Sequence, residues 1–215
     1  SLGIFGPNSR MFLTNLFGNY FSTKDFPFAT GKYIDFLNVK IWFQRLSFVG
    51  ELGWELYIPM KDSKKVFNKI ETLGKKYNLC YSGMHAMDML RLEKKFLHWG
   101  HDITSENNPI EAGLRFAVSL KKSYDFIGRK SLEKIISQPL KKKLELFSLK
   151  NCKEPGKPLL MHDEPIFFNH EIVGYSTSSN YSFNYKKNIF LAYIKADLNI
   201  MKKLYIEVEG KKYEL

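Results

Sequence analysis

Residues 43–55 read FQRLSFVGELGWE, and residues 87–100 read MDMLRLEKKFLHWG. These two stretches decide the reading of the chain. In the first, a Gly-punctuated turn delivers Glu51 and Glu55 to the entrance of a strand. Trp54, Leu56 and Ile58 alternate with Glu55 and Tyr57, the period-two signature of a strand. Glu55 is therefore expected to point away from the face that holds Trp54 and Leu56. In the second stretch an apolar helix carries Asp88, Arg91 and Glu93. Charge at that density among apolar residues needs either an internal ion-pair network or a polar ligand, because unpaired charge away from water is costly.

Outward from these stretches, a coarse architecture can be read. Ser9–Phe17 has the apolar spacing of a short helix, and residues 18–32 are loop-like. Tyr33–Leu37 and Val39–Phe48 are β-branched and aromatic, as strands are. A helix is expected from Asp62 to Tyr77, with Val66, Phe67, Ile70 and Leu73 on one side, and another from Gly83 to Lys95. Asn107-Asn108-Pro109 breaks the chain. Leu114–Leu120 reads as a strand, and Arg129–Ser137 as a helix. Beyond Lys142 the pattern changes to short strands: 144–149, 165–168, 171–176, 189–195 and 204–208. Asn169-His170 and Glu209-Gly210 are turn-like. The expectation is an α+β region over residues 1–140, followed by a small all-β barrel-like or sandwich domain over residues 141–215.

Composition bounds the function. With 215 residues and 44% hydrophobic content, an ordinary core can form. No run approaches the roughly 20 apolar residues of a membrane span, so no membrane partner is expected. The N-terminus, SLGIFGPNSR, has neither a signal-peptide pattern nor an initiator Met. The chain is read as part of a longer product. Two distant cysteines, Cys80 and Cys152, form neither a disulfide framework nor a zinc motif, and a reducing, cytoplasmic setting fits best. The net charge of +11 is spread in lysine pairs and triples with no basic stripe. It therefore reads as solvated surface, and no nucleic-acid partner is expected.

Several familiar sites are absent: there is no P-loop, no GxGxxG and no GxSxG. His98, His101 and Asp102 have no second cluster to complete a coordination sphere, so no metal is expected. Glu55 has two readings from its residues alone. A strand carboxylate facing a pocket can accept two parallel N–H bonds from a guanidinium or a 2-amino-pyrimidinone ring. Equally, it could be a structural ion pair to Arg45 or Arg91. Arg91 is three residues from Asp88, so an intrahelical pair is its plain explanation. Trp54 and Trp99 read as core residues first.

Four ordered segments then carry a family resemblance: SFVGELGWELYIP, DMLRLEKKFLHWGHDIT, NPIEAGLRFAVSL and YDFIGRKSL. In this order they resemble the folate-binding superfamily of the glycine-cleavage aminomethyltransferase (T-protein). The wording VGELGWE and RLEK is closest to the C-terminal region of dimethylglycine and sarcosine dehydrogenases. EIVGYSTSSNY and IFLAYI resemble that family's C-terminal β-domain. The resemblance implies tetrahydrofolate as the bound cofactor and an amine-derived one-carbon unit as the group transferred. It implies that Glu55 holds the pterin N–H edge and that Arg91 lies at the folate site. Phe48 stands where T-proteins carry Tyr, and Trp99 where they carry another Tyr; both are implied to line the pocket. The family's catalytic Asp lies upstream of the GPNSR segment, so no residue here receives that role. FAD would belong to an upstream flavin domain or subunit outside this sequence. The function implied is capture of the methylene as 5,10-methylenetetrahydrofolate. The alternative is a non-catalytic scaffold or interaction module that keeps the fold without the site.

Overall fold

The computed structural model describes residues 1–152, 154–198 and 203–215. The chain divides into two compact units, residues 1–87 and 88–215.

The first unit is a four-stranded antiparallel sheet with two helices. Strands β1 (Leu2–Phe5), β2 (Gly31–Phe36), β3 (Val39–Gln44) and β4 (Gly53–Tyr57) are ordered β1-β4-β3-β2. Alternation along the strands sends Ile4, Ile34, Ile41, Phe43, Trp54 and Leu56 to one face. There they pack with Phe12, Leu13 and Phe17 of α1 (Ser9–Phe17) and with Val66 and Ile70 of α2 (Ser63–Gly74). The expected helix 62–77 is α2 with a 3-10 turn at either end. The β2–β3 hairpin turns through Leu37 and Asn38, both left-handed at φ 53° and 59°. That is the backbone of a type I′ turn, in which Leu is an unusual occupant.

Helix α3 (Met84–Glu93) crosses the division at Met87. Its end has the paired bonds of a Schellman motif: Phe96 N–H to Arg91 O at 2.9 Å and Lys95 N–H to Leu92 O at 2.9 Å. Lys95 takes the left-handed position (φ 56°) that glycine usually fills.

In the second unit, β5 (Lys142–Ser148), β6 (Pro165–Phe168), β7 (Glu171–Ser182), β8 (Lys187–Lys195), β9 (Tyr205–Val208) and β10 (Lys211–Glu214) form one antiparallel sheet ordered β10-β9-β6-β7-β8-β5. The chain just past β5 closes on β10: Lys150 N–H donates to the Glu214 carbonyl at 2.9 Å, and the two side chains pair at 2.6 Å. The sheet is thus joined into the expected barrel. The run NIFLAYI in β8 is buried on both sides. Phe190, Ala192 and Ile194 fill the barrel core, while Ile189, Leu191 and Tyr193 pack outward with Leu92, Leu97 and Leu144. A continuous apolar run is what a strand covered on both faces requires.

One element differs from the sequence reading. Residues 114–120 are not a strand; a 3-10 turn occupies Arg115–Ala117. The backbone donors there are spent locally, Leu114 N–H on Pro109 O and Ala117 N–H on Leu114 O, so the segment joins no sheet. Helix α4 (Arg129–Ile136) follows as expected. The expected domain boundary at residue 140 lies within the second compact unit.

Candidate functional site

In the first unit, β4 presents Glu55 on the face opposite Trp54 and Leu56, as the alternation predicts. Trp54 and Leu56 are fully buried; Glu55 is half-buried. In register, Glu55 lies opposite Gly3 of β1 on one side and Gln44 of β3 on the other. Gly53 is on the same face, and a Cβ there would come within 2.1 Å of Phe5 Cδ1 and 2.5 Å of the Ile4 carbonyl. The glycine thus lets the Phe5 ring lie flat against the strands next to Glu55. The Tyr57 hydroxyl donates to Glu55 Oε2 at 2.7 Å, and this bond raises the Tyr57 pKa. Oε1 has no hydrogen-bond partner within the unit, and Glu55 has no cationic partner there. The structural pair to Arg45 does not form: Arg45 Nη1 donates to the Phe26 carbonyl at 2.7 Å.

Phe48 lies in the loop between β3 and β4 and is half-buried. That loop is fixed at both ends. Glu51 N–H donates to Ser47 Oγ at 3.1 Å, and the Leu52 carbonyl accepts from Gly6 N–H at 2.8 Å and Ser9 Oγ at 3.0 Å.

In the second unit, Arg91 is 1% exposed. Four hydrogen bonds hold its guanidinium, and all three nitrogens take part. Nε donates to Asp88 Oδ1 at 2.7 Å, and Nη2 reaches the same oxygen at 2.6 Å. Nη1 donates to the Phe96 carbonyl at 3.0 Å and to Asp102 Oδ2, and Nη2 also donates to Ser178 Oγ at 2.7 Å. The intrahelical pair with Asp88 is therefore present, inside a larger network. Asp102, also fully buried, accepts from the His98 N–H at 2.8 Å and from Thr177 Oγ at 2.6 Å. The guanidinium is thus bonded within its own unit at all three of its nitrogens.

What the network holds is the loop 96–103. Gly100 N–H bonds the Ile103 carbonyl at 2.8 Å, and Trp99 bridges Ile103. On this stiffened loop Trp99 is 68% exposed. It is not the core residue that its type suggests. A large apolar ring held in water by a rigid loop is a ready stacking surface.

Sequence reasoning weighed Asp102 only as a metal ligand, noted Glu93 only as charge in need of a partner, and passed over Thr177 and Ser178. Glu93 is buried and accepts from Ser182 Oγ and from Asn184 Nδ2 at 2.6 Å. The signal was the run STSS at 176–179. Four consecutive hydroxyls cannot follow a strand's alternation, and β7 bulges there. Ser176 and Ser179 turn to the carbonyls of Met161 and Leu160, while Thr177 and Ser178 take Asp102 and Arg91.

Residues 1–122 match the family model of the GCVT N-terminal domain, and residues 142–215 match that of the glycine cleavage T-protein C-terminal barrel domain. The mitochondrial dimethylglycine dehydrogenase of Homo sapiens is 34% identical over 213 residues, covering 99% of this chain and 24% of that protein. An aminomethyltransferase of Listeria monocytogenes is 37% identical over 193 residues, covering 90% of this chain and 51% of that protein. The chain thus spans about a quarter of the first relative and about half of the second. The crystal structure of glycine cleavage system aminomethyltransferase T from Bartonella henselae superposes with a TM-score of 0.81 at 21% identity, over 97% of this chain and 55% of that one. The fold is shared.

Proposed function

This chain belongs to the glycine cleavage T-protein (GCVT) family, and from that premise we propose that it is the tetrahydrofolate-binding part of a one-carbon-transfer enzyme of the dimethylglycine/sarcosine dehydrogenase or aminomethyltransferase type. Bound tetrahydrofolate supplies the two nitrogens that capture an amine-derived methylene as 5,10-methylenetetrahydrofolate. The residues of this chain bind and orient it. A flavin domain or subunit upstream is the proposed source of the methylene in a dehydrogenase of this type.

The observation that carries the reading is the Glu55 carboxylate. It is half-buried on a strand, without a cation in its own unit, with Oε2 fixed by the Tyr57 hydroxyl and Oε1 open. A carboxylate held this way suits the paired N–H groups of a pterin edge. Phe48 and Trp99 are assigned to stacking. Arg91 is assigned a positioning role, through the loop that carries Trp99, because all three of its nitrogens already bond groups of its own unit.

Calorimetry with tetrahydrofolate tests this. Glu55→Gln replaces one acceptor oxygen with a donor and removes the charge. A charged hydrogen bond is worth about 1.5–3 kcal/mol, so the affinity should fall about 10- to 150-fold with the melting temperature unchanged. An unchanged affinity overturns the Glu55 assignment. No binding by the full-length protein would leave the non-catalytic module as the reading.

A further inference from the structure

Arg10 of α1, Arg45 just beyond β3 and Trp54 of β4 form a cluster of donors that the folate reading does not use. The Cζ atoms of Arg10 and Arg45 lie 5.4 and 5.6 Å from the Trp54 ring centroid. Arg10 Nη1 donates to the Phe21 carbonyl and Arg45 Nη1 to the Phe26 carbonyl. These are single bonds on groups that carry five N–H donors each. Arg45 Nε and Trp54 Nε1 are buried donors with no acceptor. Among the described residues neither guanidinium has a carboxylate partner. Burial, and then the charge of Arg10, pulls the Arg45 pKa down, so the local field is positive and uncompensated. The indole face answers part of that charge. It supplies none of the acceptors that two buried N–H groups require.

We propose that Arg10, Arg45 and Trp54 form a binding site for a small oxyanion, a carboxylate or phosphate group, held by the two guanidiniums beside the indole. The planar guanidinium fork matches the two-oxygen face of such a group and does not match a halide. This site stands apart from the folate reading, since Trp54 and Glu55 are consecutive on β4 and point to opposite faces.

The test is a melting series in sodium formate, sodium phosphate and sodium chloride at matched ionic strength. A saturable rise of about 3–6 °C at ten times the Kd of the bound anion is expected. Formate alone assigns a carboxylate, and phosphate alone or both assigns a phosphate-accepting site. Arg45→Met should abolish the rise. In the unsubstituted protein, the Nε1–H cross-peak of Trp54 should move with the same concentration dependence, which covers the case of a variant that does not fold. If neither oxyanion exceeds chloride, or if the Trp54 peak stays fixed, the proposal is overturned. A rise that persists in Arg45→Met also overturns it.

Discussion

Replacing Asp102 with Ala tests whether the network around Arg91 governs the second unit. The Arg91 and Asp102 side chains are 1% and 0% exposed. Removing one partner of a buried pair strands the other charge, at about 3–5 kcal/mol. Two features adjust that figure. Asp88 remains on the guanidinium and softens the loss, while the His98 N–H and Thr177 hydroxyl both lose their acceptor. A destabilisation of about 3–4 kcal/mol is expected. Asp102→Asn keeps the shape: its carbonyl can face Arg91 and His98, and the Thr177 hydroxyl can turn to accept from the amide. It should cost about 1–2 kcal/mol, the worth of the lost charge assistance. The double change Arg91→Met/Asp102→Leu leaves no unpaired charge between the two, so it should cost less than Asp102→Ala alone. Urea unfolding gives the energies, and hydrogen exchange at the His98 and Gly100 amides reports the loop directly. If Asp102→Ala lies within about 1 kcal/mol of the parent, or exchange at His98 does not accelerate, the network does not hold the loop and the reasoning fails.

Leu37→Asn should stabilise the β2–β3 hairpin, because Leu37 sits at φ 53° in a type I′ turn and is 37% exposed. The left-handed region costs a branched-chain residue about 1–2 kcal/mol, and part of that returns when Asn replaces it, so a gain of about 0.5–1 kcal/mol in urea unfolding is expected; a loss would refute the strain. His162 makes stability depend on pH. Burial lowers its pKa, but the His101 carbonyl, the Asp163 hydrogen bond and charge, and the Asp102 charge outweigh that and raise it overall. The contribution is therefore full below the unfolded value near 6.5 and is lost as pH rises through the raised folded value. With the ring 41% exposed it is worth under about 1 kcal/mol. The stability difference between the parent and His162→Asn should shrink toward alkaline pH, and a difference flat from pH 5 to 9 would count against it.

The sequence carried the fold where pattern and packing agree. Residues 189–195 read as a strand, and β8 is that strand. VFNKIETL announced one face of α2. The alternation through Trp54, Glu55 and Leu56 fixed which way Glu55 points. It misled at 114–120, where apolar residues without a neighbouring strand spend their backbone donors in local turns. It could not show β1, four residues whose pairing with β4 depends on a partner fifty residues away. The direction of Glu55 was legible, because it follows from local period. The occupancy of Arg91 was not, because its partners Asp102 and Ser178 are separated from it by 11 and 87 residues, and no local pattern encodes that meeting.

The opposite fates of the tryptophans show what the buried charge is for. Trp54 is buried without exposure, and Trp99 is 68% exposed. Leaving an indole in water forfeits on the order of 2 kcal/mol of burial, and ordering the loop beneath it adds backbone entropy of about 1–2 kcal/mol per residue. The loop is held by a polar part of the second unit's interior: a buried Arg, a buried Asp, and two hydroxyls delivered by a bulge that breaks the register of β7. A purely apolar interior could have stabilised the barrel as well, since a buried ion pair gains little over packed hydrocarbon. Hydrocarbon, however, offers no acceptors for the His98 amide and no donor for the Phe96 carbonyl. The forked cation and the carboxylate tie both ends of a loop that has no strand to join. The network is thus better explained by the geometry it imposes on Trp99 than by the stability it adds.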